Sequence, residues 1–315
     1  KAVEQTRRLV EQDEVLAIVG QLGTLTSSAV QKYLNAKKIP QILITSGAAK
    51  WDNPKAYPYS TFLYSPYRLE GQIFAQYLLT NRPSARLGVF SQNYDAGRDY
   101  VNGLKDGLGD KAASIIVKEL TYETTDATID SQIVSLKSAG VDTLFIMTTP
   151  KFGAQAIRKI GELGWKPLTY ISAISTSLKT VLEPAGLEHS KGLITALAVK
   201  RPDDPRWENA KDVQDYKTFL KQWYPSGNLA DSSNIAGYMA AFATVEILKR
   251  CGDELTRECV LKQATNLTDL EVPLLLPGIT VTTTPTRYTP FRQMQIARFD
   301  GTTWVPEGPL ITAKD

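Results

Sequence analysis

TLFIMTTPKFGAQAIRKIGELGWKPLTYIS (143–172) is the stretch on which the fold turns. Thr143–Thr148 is a short apolar run of the kind that makes a strand covered on both faces. Pro150 follows where a first helical turn tolerates proline, and Ala154, Ile157, Ile160 and Leu163 then recur at spacings of three and four, which is one stripe of a helix. Gly164 stands where a left-handed C-terminal cap is wanted, and Thr169–Ser172 reads as the next strand. Strand, helix and strand in this span make a βαβ unit with parallel strands and a right-handed crossover.

The same alternation extends in both directions. Ala17–Gly20, Gln41–Thr45, Leu87–Ser91, Ser114–Leu120 and Leu193–Ala198 read as further strands. Leu69, Ile73, Phe74, Tyr77 and Leu78 form one helical stripe, Ile129, Ile133 and Leu136 another, and Gly140 is a second cap before a strand. Near residue 200 the pattern changes. RPDDPR (201–206) leads into helices over Val213–Trp223, Ile235–Arg250 and Arg257–Ala264, the middle one with Ile235, Met239, Phe242, Val245 and Leu248 along one face. Prolines 273, 277, 285 and 290 then break the chain before closing strands at Met294–Phe299 and Thr303–Val305. At 315 residues the chain exceeds what one core usually serves. The reading is an α/β protein of two lobes, crossed more than once by the chain.

Composition narrows function mainly by exclusion. Lys plus Arg total 36 against 33 Asp plus Glu, and the basic residues fall in pairs rather than blocks, so no dedicated nucleic-acid surface is expected. No apolar run approaches a membrane span. The single histidine, His189, rules out a multi-histidine metal site and reads as a solvated loop residue, while two cysteines rule out four-cysteine zinc or an iron–sulfur cluster. GxSxG, GxxxxGK[ST], HExxH and GxGxxG are all absent, so no enzyme chemistry, metal or cofactor is expected. Lys1 opens KAVEQTRRLVEQ (1–12) with neither a signal peptide nor an initiator methionine, which implies a removed leader or a fragment.

Ligands of open parallel sheets bind beyond the carboxyl ends of the strands. Four loops lie there. Gln21-Leu22-Gly23-Thr24 precedes a helix opening with Thr26-Ser27-Ser28. Gly23 and Thr24 read either as backbone and hydroxyl donors to an anion or as part of a simple Thr/Ser cap. Ser46–Trp51 offers the small residues Ala48 and Ala49, with Trp51 as a cleft wall or as packing within a lobe. In Gln92–Gly97, Asp95 reads as a helix cap beside Tyr94 and Ala96. Thr148–Phe152 brings Thr149 as cap or ligand contact and Phe152 as an apolar wall. Loops this rich in hydroxyls and backbone donors suit binding better than catalysis.

GQLGTLTS (20–27), KKIPQILITSGAAKW (37–51), NYDAG (93–97), PKFGAQAIRKIGELGWKP (150–167), PAGLEHSKG (184–192), SNIAGYMAA (233–241) and CGDELTRE (251–258) resemble the leucine/isoleucine/valine-binding-protein family across nearly the whole chain. The nearest branch includes receptors for aromatic acids. The resemblance implies a type I periplasmic binding protein fold, the two Rossmann-like lobes of a Venus-flytrap joined by three hinge crossings. Lobe 1 would be 1–64 plus 199–291 and lobe 2 would be 65–198 plus 292–315. It also implies a monomeric periplasmic receptor that closes over a small carboxylate and hands it to an ABC permease. The same fold serves as a ligand-sensing domain in signalling proteins. Family members begin with a further β–α–β segment, so a truncated first lobe is expected.

Residue by residue, the resemblance implies ligand contacts at Gly23, Thr24, Ala48, Ala49 and Tyr238 on lobe 1, and at Tyr94, Ala96, Thr149 and Ser172–Ser175 on lobe 2. Amino-acid-binding members carry an aromatic where Ala96 stands and an acid within the stretch that here reads SAIS (172–175). A buried ammonium needs a carboxylate partner, and Asp95 is the one acid near these loops. The carboxylate end keeps Gly23 N–H, Thr24 and the amides of Ala48 and Ala49. An aromatic acid without an ammonium group is therefore the expected ligand, with a branched-chain amino acid second. In the oxidising compartment so implied, Cys251 and Cys259 are expected to pair, the alternative being two buried thiols.

Overall fold

The computed structural model describes residues 1–313. The chain divides into two compact units. One comprises 1–66, 209–227 and 233–292; the other comprises 67–208, 228–232 and the chain from 293 onward.

In the first unit, β1 (Ile18–Val19), β2 (Gln41–Ile44) and β3 (Ser60–Phe62) form a parallel sheet in that order. All four residues of β2 are buried, as its apolar sequence QILI requires of a middle strand. The strand β3, STF between Tyr59 and Leu63, carries no apolar run, and its pairing with β2 alone defines it. Leu43 takes φ 54° inside β2, and its N–H goes to Thr61 Oγ1 (3.2 Å) where the register with β3 shifts. Helices Ala2–Glu11 and Thr24–Ala36 contribute Val10, Val30 and Leu34 to a core cluster with Ile39 of the following connection, and Ile18 and Tyr33 pack against it.

Helices Lys211–Trp223, Ser232–Cys251 and Arg257–Ala264 complete this unit. The middle helix buries Ile235, Met239, Ala240, Ala243, Ile247 and Cys251, whereas Val245 is 48% exposed. The expected stripe through Phe242, Val245 and Leu248 is thus displaced. Apolar residues surround this helix, so its sequence has too little contrast to mark the inner face, on which Ala240 packs toward Gly20. A disulfide joins Cys251 at the helix end to Cys259, while Thr256 Oγ1 caps the next helix by accepting Cys259 N–H (3.1 Å).

In the second unit β4 (Leu87–Gln92), β5 (Ile116–Tyr122), β6 (Thr143–Met147), β7 (Leu168–Ile171), β8 (Ile194–Leu197), β9 (Gln293–Phe299) and β10 (Trp304–Thr312) form a sheet ordered β10-β9-β8-β7-β6-β4-β5. The strands β4 to β8 pair in parallel and β8, β9 and β10 antiparallel. The fully buried β6 lies at the centre of the deciding stretch. Two strands differ from the sequence reading. Ala112–Ile115 is a helical turn, which moves β5 two residues on, and β10 runs far past Val305. The strand accommodates Pro306 and Pro309 because β10 is an edge strand whose register breaks between Glu307 and Ile311.

Helices Tyr67–Asn81 and Asp95–Leu108 approach backbone to backbone. A Cβ on Gly71 would lie 2.3 Å from Tyr100 O, and one on Gly103 would lie 1.9 Å from Arg68 O, so both positions require glycine. This contact brings Glu70 beside Tyr100.

Candidate functional site

In the first unit the chain leaves β1 through Leu22, bridged to Thr45, and Gly23 donates its N–H to Thr45 O (3.1 Å). Gly23 N–H therefore extends the ladder and is not a ligand donor, contrary to the sequence reading. At φ 95° Gly23 turns the chain straight into the helix Thr24–Ala36, whose N-terminus has no side-chain cap. The alternative of Thr/Ser capping fails as well, because Thr26 Oγ1 donates backwards to Leu22 O and to Gly23 O (3.1 Å). The helix closes its first backbone bond from Ser27 N–H to Gly23 O (3.1 Å), so the N–H groups of Thr24, Leu25 and Thr26 point out of its positive end.

Beside this end Thr24 Oγ1 lies 2.7 Å from Ser46 Oγ. Ser46 Oγ also receives Trp51 Nε1–H (2.9 Å) and, at 3.5 Å, Ala48 N–H. A hydroxyl has two acceptor lone pairs and one hydrogen. Either hydroxyl of the Thr24–Ser46 pair can supply the hydrogen between them. Thr24 retains 7% exposure. Ala48 is fully buried with its N–H directed at Ser46 Oγ, and Ala49 begins the short turn Ala49–Trp51. Trp51 is 1% exposed and hydrogen-bonded to Ser46, which makes it packing within its unit rather than an open wall. Tyr238 packs its ring against Tyr216 and Phe219, each at 5.2 Å, on the helix Lys211–Trp223. Burial, then Asp215 and Asp212, hold its phenol above the usual pKa.

In the second unit, Tyr94 is the N-cap of the helix Asp95–Leu108 and Asp95 its first residue, so Asp95 acts on the helix from its first turn rather than as its cap. Gly97 is demanded by a close approach, since a Cβ there would meet Gln92 O at 1.9 Å. Ala96 is nearly buried at 7% exposure. Thr149 donates its N–H to Tyr122 Oη (2.9 Å), and it is the N-cap of the helix Pro150–Glu162. Phe152 packs its ring 4.3 Å from that of Tyr122 and is 2% exposed, so it belongs to the core rather than to a wall. His189 is half-buried against Gly161 on the short helix Leu187–Ser190 and is not a solvated loop residue.

The Ser172–Ser175 loop follows β7. Ser172 N–H prolongs the ladder to Ile146 O (3.0 Å), and Ser175 Oγ donates to Thr148 O (2.6 Å). Ser172 Oγ and Thr148 Oγ1 are buried without hydrogen-bond partners.

Glu70 is the residue that the sequence reading missed. It is fully buried, and its Oε1 accepts Ala173 N–H (2.8 Å) and Tyr170 O–H (2.8 Å) while Oε2 accepts Tyr100 O–H (3.0 Å). Burial pushes its carboxyl up to about 7 against the three donors that pull it down. The available signal was an acid three and four residues before Ile73 and Phe74, on the apolar stripe and next to a glycine.

The sequence profile of the periplasmic binding protein family matches residues 1–303, and the chain belongs to that family. Its fold is that of the type I, leucine/isoleucine/valine-binding type, as solved structures show. A branched-chain amino acid ABC transporter protein from Thermus thermophilus with bound valine superimposes with TM-score 0.84 at 15% identity, over 98% of this chain and 81% of that one. A solute-binding protein of an ABC transporter from R. palustris, in complex with benzoate, gives 0.80 at 16%, over 99% and 83%. A fatty acid ABC transporter substrate-binding protein from Thermomonospora curvata gives 0.77 at 21%, over 99% and 78%. No curated protein matches the chain. The family is one of binding proteins rather than enzymes, and membership implies an extracytoplasmic protein. Among the described residues no helix is long and apolar enough to cross a membrane.

Proposed function

We propose that this protein is the solute receptor of an ABC importer, closing its lobes over a small carboxylate that carries no ammonium group, best an aromatic acid of the benzoate or cinnamate type. The observation that carries this reading is the disposition of charge around the strand ends. The Thr24–Ser46 hydroxyl pair beside an uncapped helix N-terminus favours an anion. In the other unit the SAIS loop has no acid, and the nearby carboxylate of Glu70 is buried behind it with both oxygens engaged. The solved benzoate complex belongs to a protein of the same fold.

Thr24, Ala48, Ala49, Tyr94, Ala96, Thr149, Ser172 and Ser175 remain the proposed contacts, with Tyr238 retained only as a residue that the family resemblance implies. Closure requires that ligand contacts favour the closed state by a few kcal/mol, which a few hydrogen bonds of about 1 kcal/mol each, together with burial of a ring, supply. Transfer to a permease follows from the family role and from no contact described above.

A branched-chain amino acid is the second reading. Asp95, half-buried in a helix first turn between Tyr94 and Ala96, is the acid that would meet its ammonium. Calorimetry with benzoate, cinnamate, leucine and valine separates the two readings. Heat from the aromatic acids alone supports the first, and heat from leucine or valine alone supports the second.

A further inference from the structure

Glu70 lies behind the Ser172–Ser175 loop, and nothing in the function proposed above uses it directly. It comes from the helix Tyr67–Asn81, a hundred residues before the loop it touches. The glycine-mediated approach of the neighbouring helix delivers Tyr100 to Oε2, and β7 delivers Tyr170 to Oε1. The remaining contact on Oε1 is the Ala173 N–H, the first free amide after β7 ends.

We infer that Glu70 is the positioning residue of the binding surface, its buried carboxylate fixing the Ser172–Ser175 loop from behind by accepting Ala173 N–H. Four observations support this. First, the loop leaves the sheet after Ser172 N–H, so Ala173 N–H has no strand to pair with, and a buried amide left unpaired is unfavourable. Second, the two tyrosines leave the carboxylate little freedom, and ring stacking fixes them in turn: Tyr100 on Tyr67 with centroids at 4.7 Å, and Tyr170 near Phe74 at 4.4 Å and Phe145 at 5.3 Å. Third, Ser172 and Ser175 flank the tethered amide and are held by Ile146 O and Thr148 O at the loop's two ends, so Glu70 supplies the hold on the turn between them. Finally, a neutral apolar residue at position 70 would remove the acceptor that the Ala173 N–H uses. The loop's part in ligand binding rests on the function proposed above; Glu70's hold on the loop does not.

Hydrogen exchange read by mass spectrometry on residues 170–176 tests the inference, with benzoate calorimetry on the same proteins. In Glu70→Leu, exchange of this segment should rise on the order of tenfold or more while β6 and the helix Pro150–Glu162 keep wild-type protection, and benzoate affinity should fall with it. Glu70→Gln retains an acceptor at Oε1 and should restore wild-type exchange and affinity. If Glu70→Leu does not fold, Tyr170→Phe removes one of the two donors that orient Oε1 and should raise exchange of the same segment severalfold. Wild-type exchange of residues 170–176 in a folded Glu70→Leu or Tyr170→Phe protein overturns the inference. Faster exchange with no benzoate binding even by the wild type upholds Glu70's role and rejects the proposed ligand instead.

Discussion

Thr24 Oγ1 and Ser46 Oγ lie 2.7 Å apart, and the indole N–H of Trp51 enters the same serine oxygen at 2.9 Å. The hydroxyl pair lies beside the uncapped N-terminus of the helix Thr24–Ala36. Replacing Thr24 by Val keeps the shape and removes its hydroxyl from the proposed anion site. Benzoate binding should weaken by about 1–3 kcal/mol, roughly five- to 150-fold, and the ligand-free protein should also lose some stability because the buried Ser46 hydroxyl is left without its Thr24 partner. Unaltered affinity in calorimetry would show that Thr24 does not touch the ligand.

Ser46→Ala acts differently because Ser46 is an internal strut. It leaves the Trp51 indole N–H buried without an acceptor, at about 1–3 kcal/mol. Chemical denaturation should show the loss in the absence of any ligand. A Ser46→Ala protein as stable as wild type would contradict the hydrogen-bond chain from Trp51 to Thr24.

The disulfide closes a loop of eight residues in sequence separation. A short loop of this kind stabilises by roughly 2–3 kcal/mol in the chain-entropy account. Unreduced, denatured protein should contain no alkylatable thiol, and the Cys251→Ser/Cys259→Ser protein should melt at lower temperature. Two titratable thiols before reduction would be the contrary result.

Glu70 gives stability a pH dependence of definite sign. Its folded pKa, about 7, lies above the usual 4.5, so the folded state holds the proton more tightly than the unfolded one. The contribution is fully present below about pH 4.5 and is lost as pH rises through about 7, on the order of 3 kcal/mol in total. The titratable groups facing Glu70 are Tyr100 from the adjoining helix and Tyr170 from β7. Tyr170 is itself held well above its usual value by burial and by Glu70, so it stays neutral in this window. Unfolding free energies of wild type measured against Glu70→Gln should therefore diverge between pH 4.5 and 7, the wild type losing ground. A constant difference across that range would contradict the assignment.

The parallel architecture was legible because its strands are continuous apolar runs and its helices carry stripes ending in Gly140 and Gly164. Periodicity failed where the apolar pattern had no contrast. The helix Ser232–Cys251 is apolar on most sides, and its inner face is set by the tertiary packing that buries Ile235, Met239, Ala240, Ala243 and Ile247. The strand β3 is three residues long and is made by its partner, and β10 hides behind two prolines that an edge strand accommodates. At the site, loop positions were visible as small and hydroxyl-bearing residues after strands, but hydrogen-bond direction was not. Gly23 N–H goes into the sheet, Trp51 and Phe152 turn inward, and Tyr94 rather than Asp95 caps its helix. Glu70 lies beyond any local pattern, since its partners are 30 to 103 residues away.

The ligand class is tested most directly by titrating purified, ligand-stripped protein with benzoate and with leucine in the same calorimeter at neutral pH. Saturable heat with benzoate and none with leucine is the result predicted by a site that favours an anion and whose loop opposite Glu70 carries no acid. Tight binding of leucine, with none of benzoate, would contradict it.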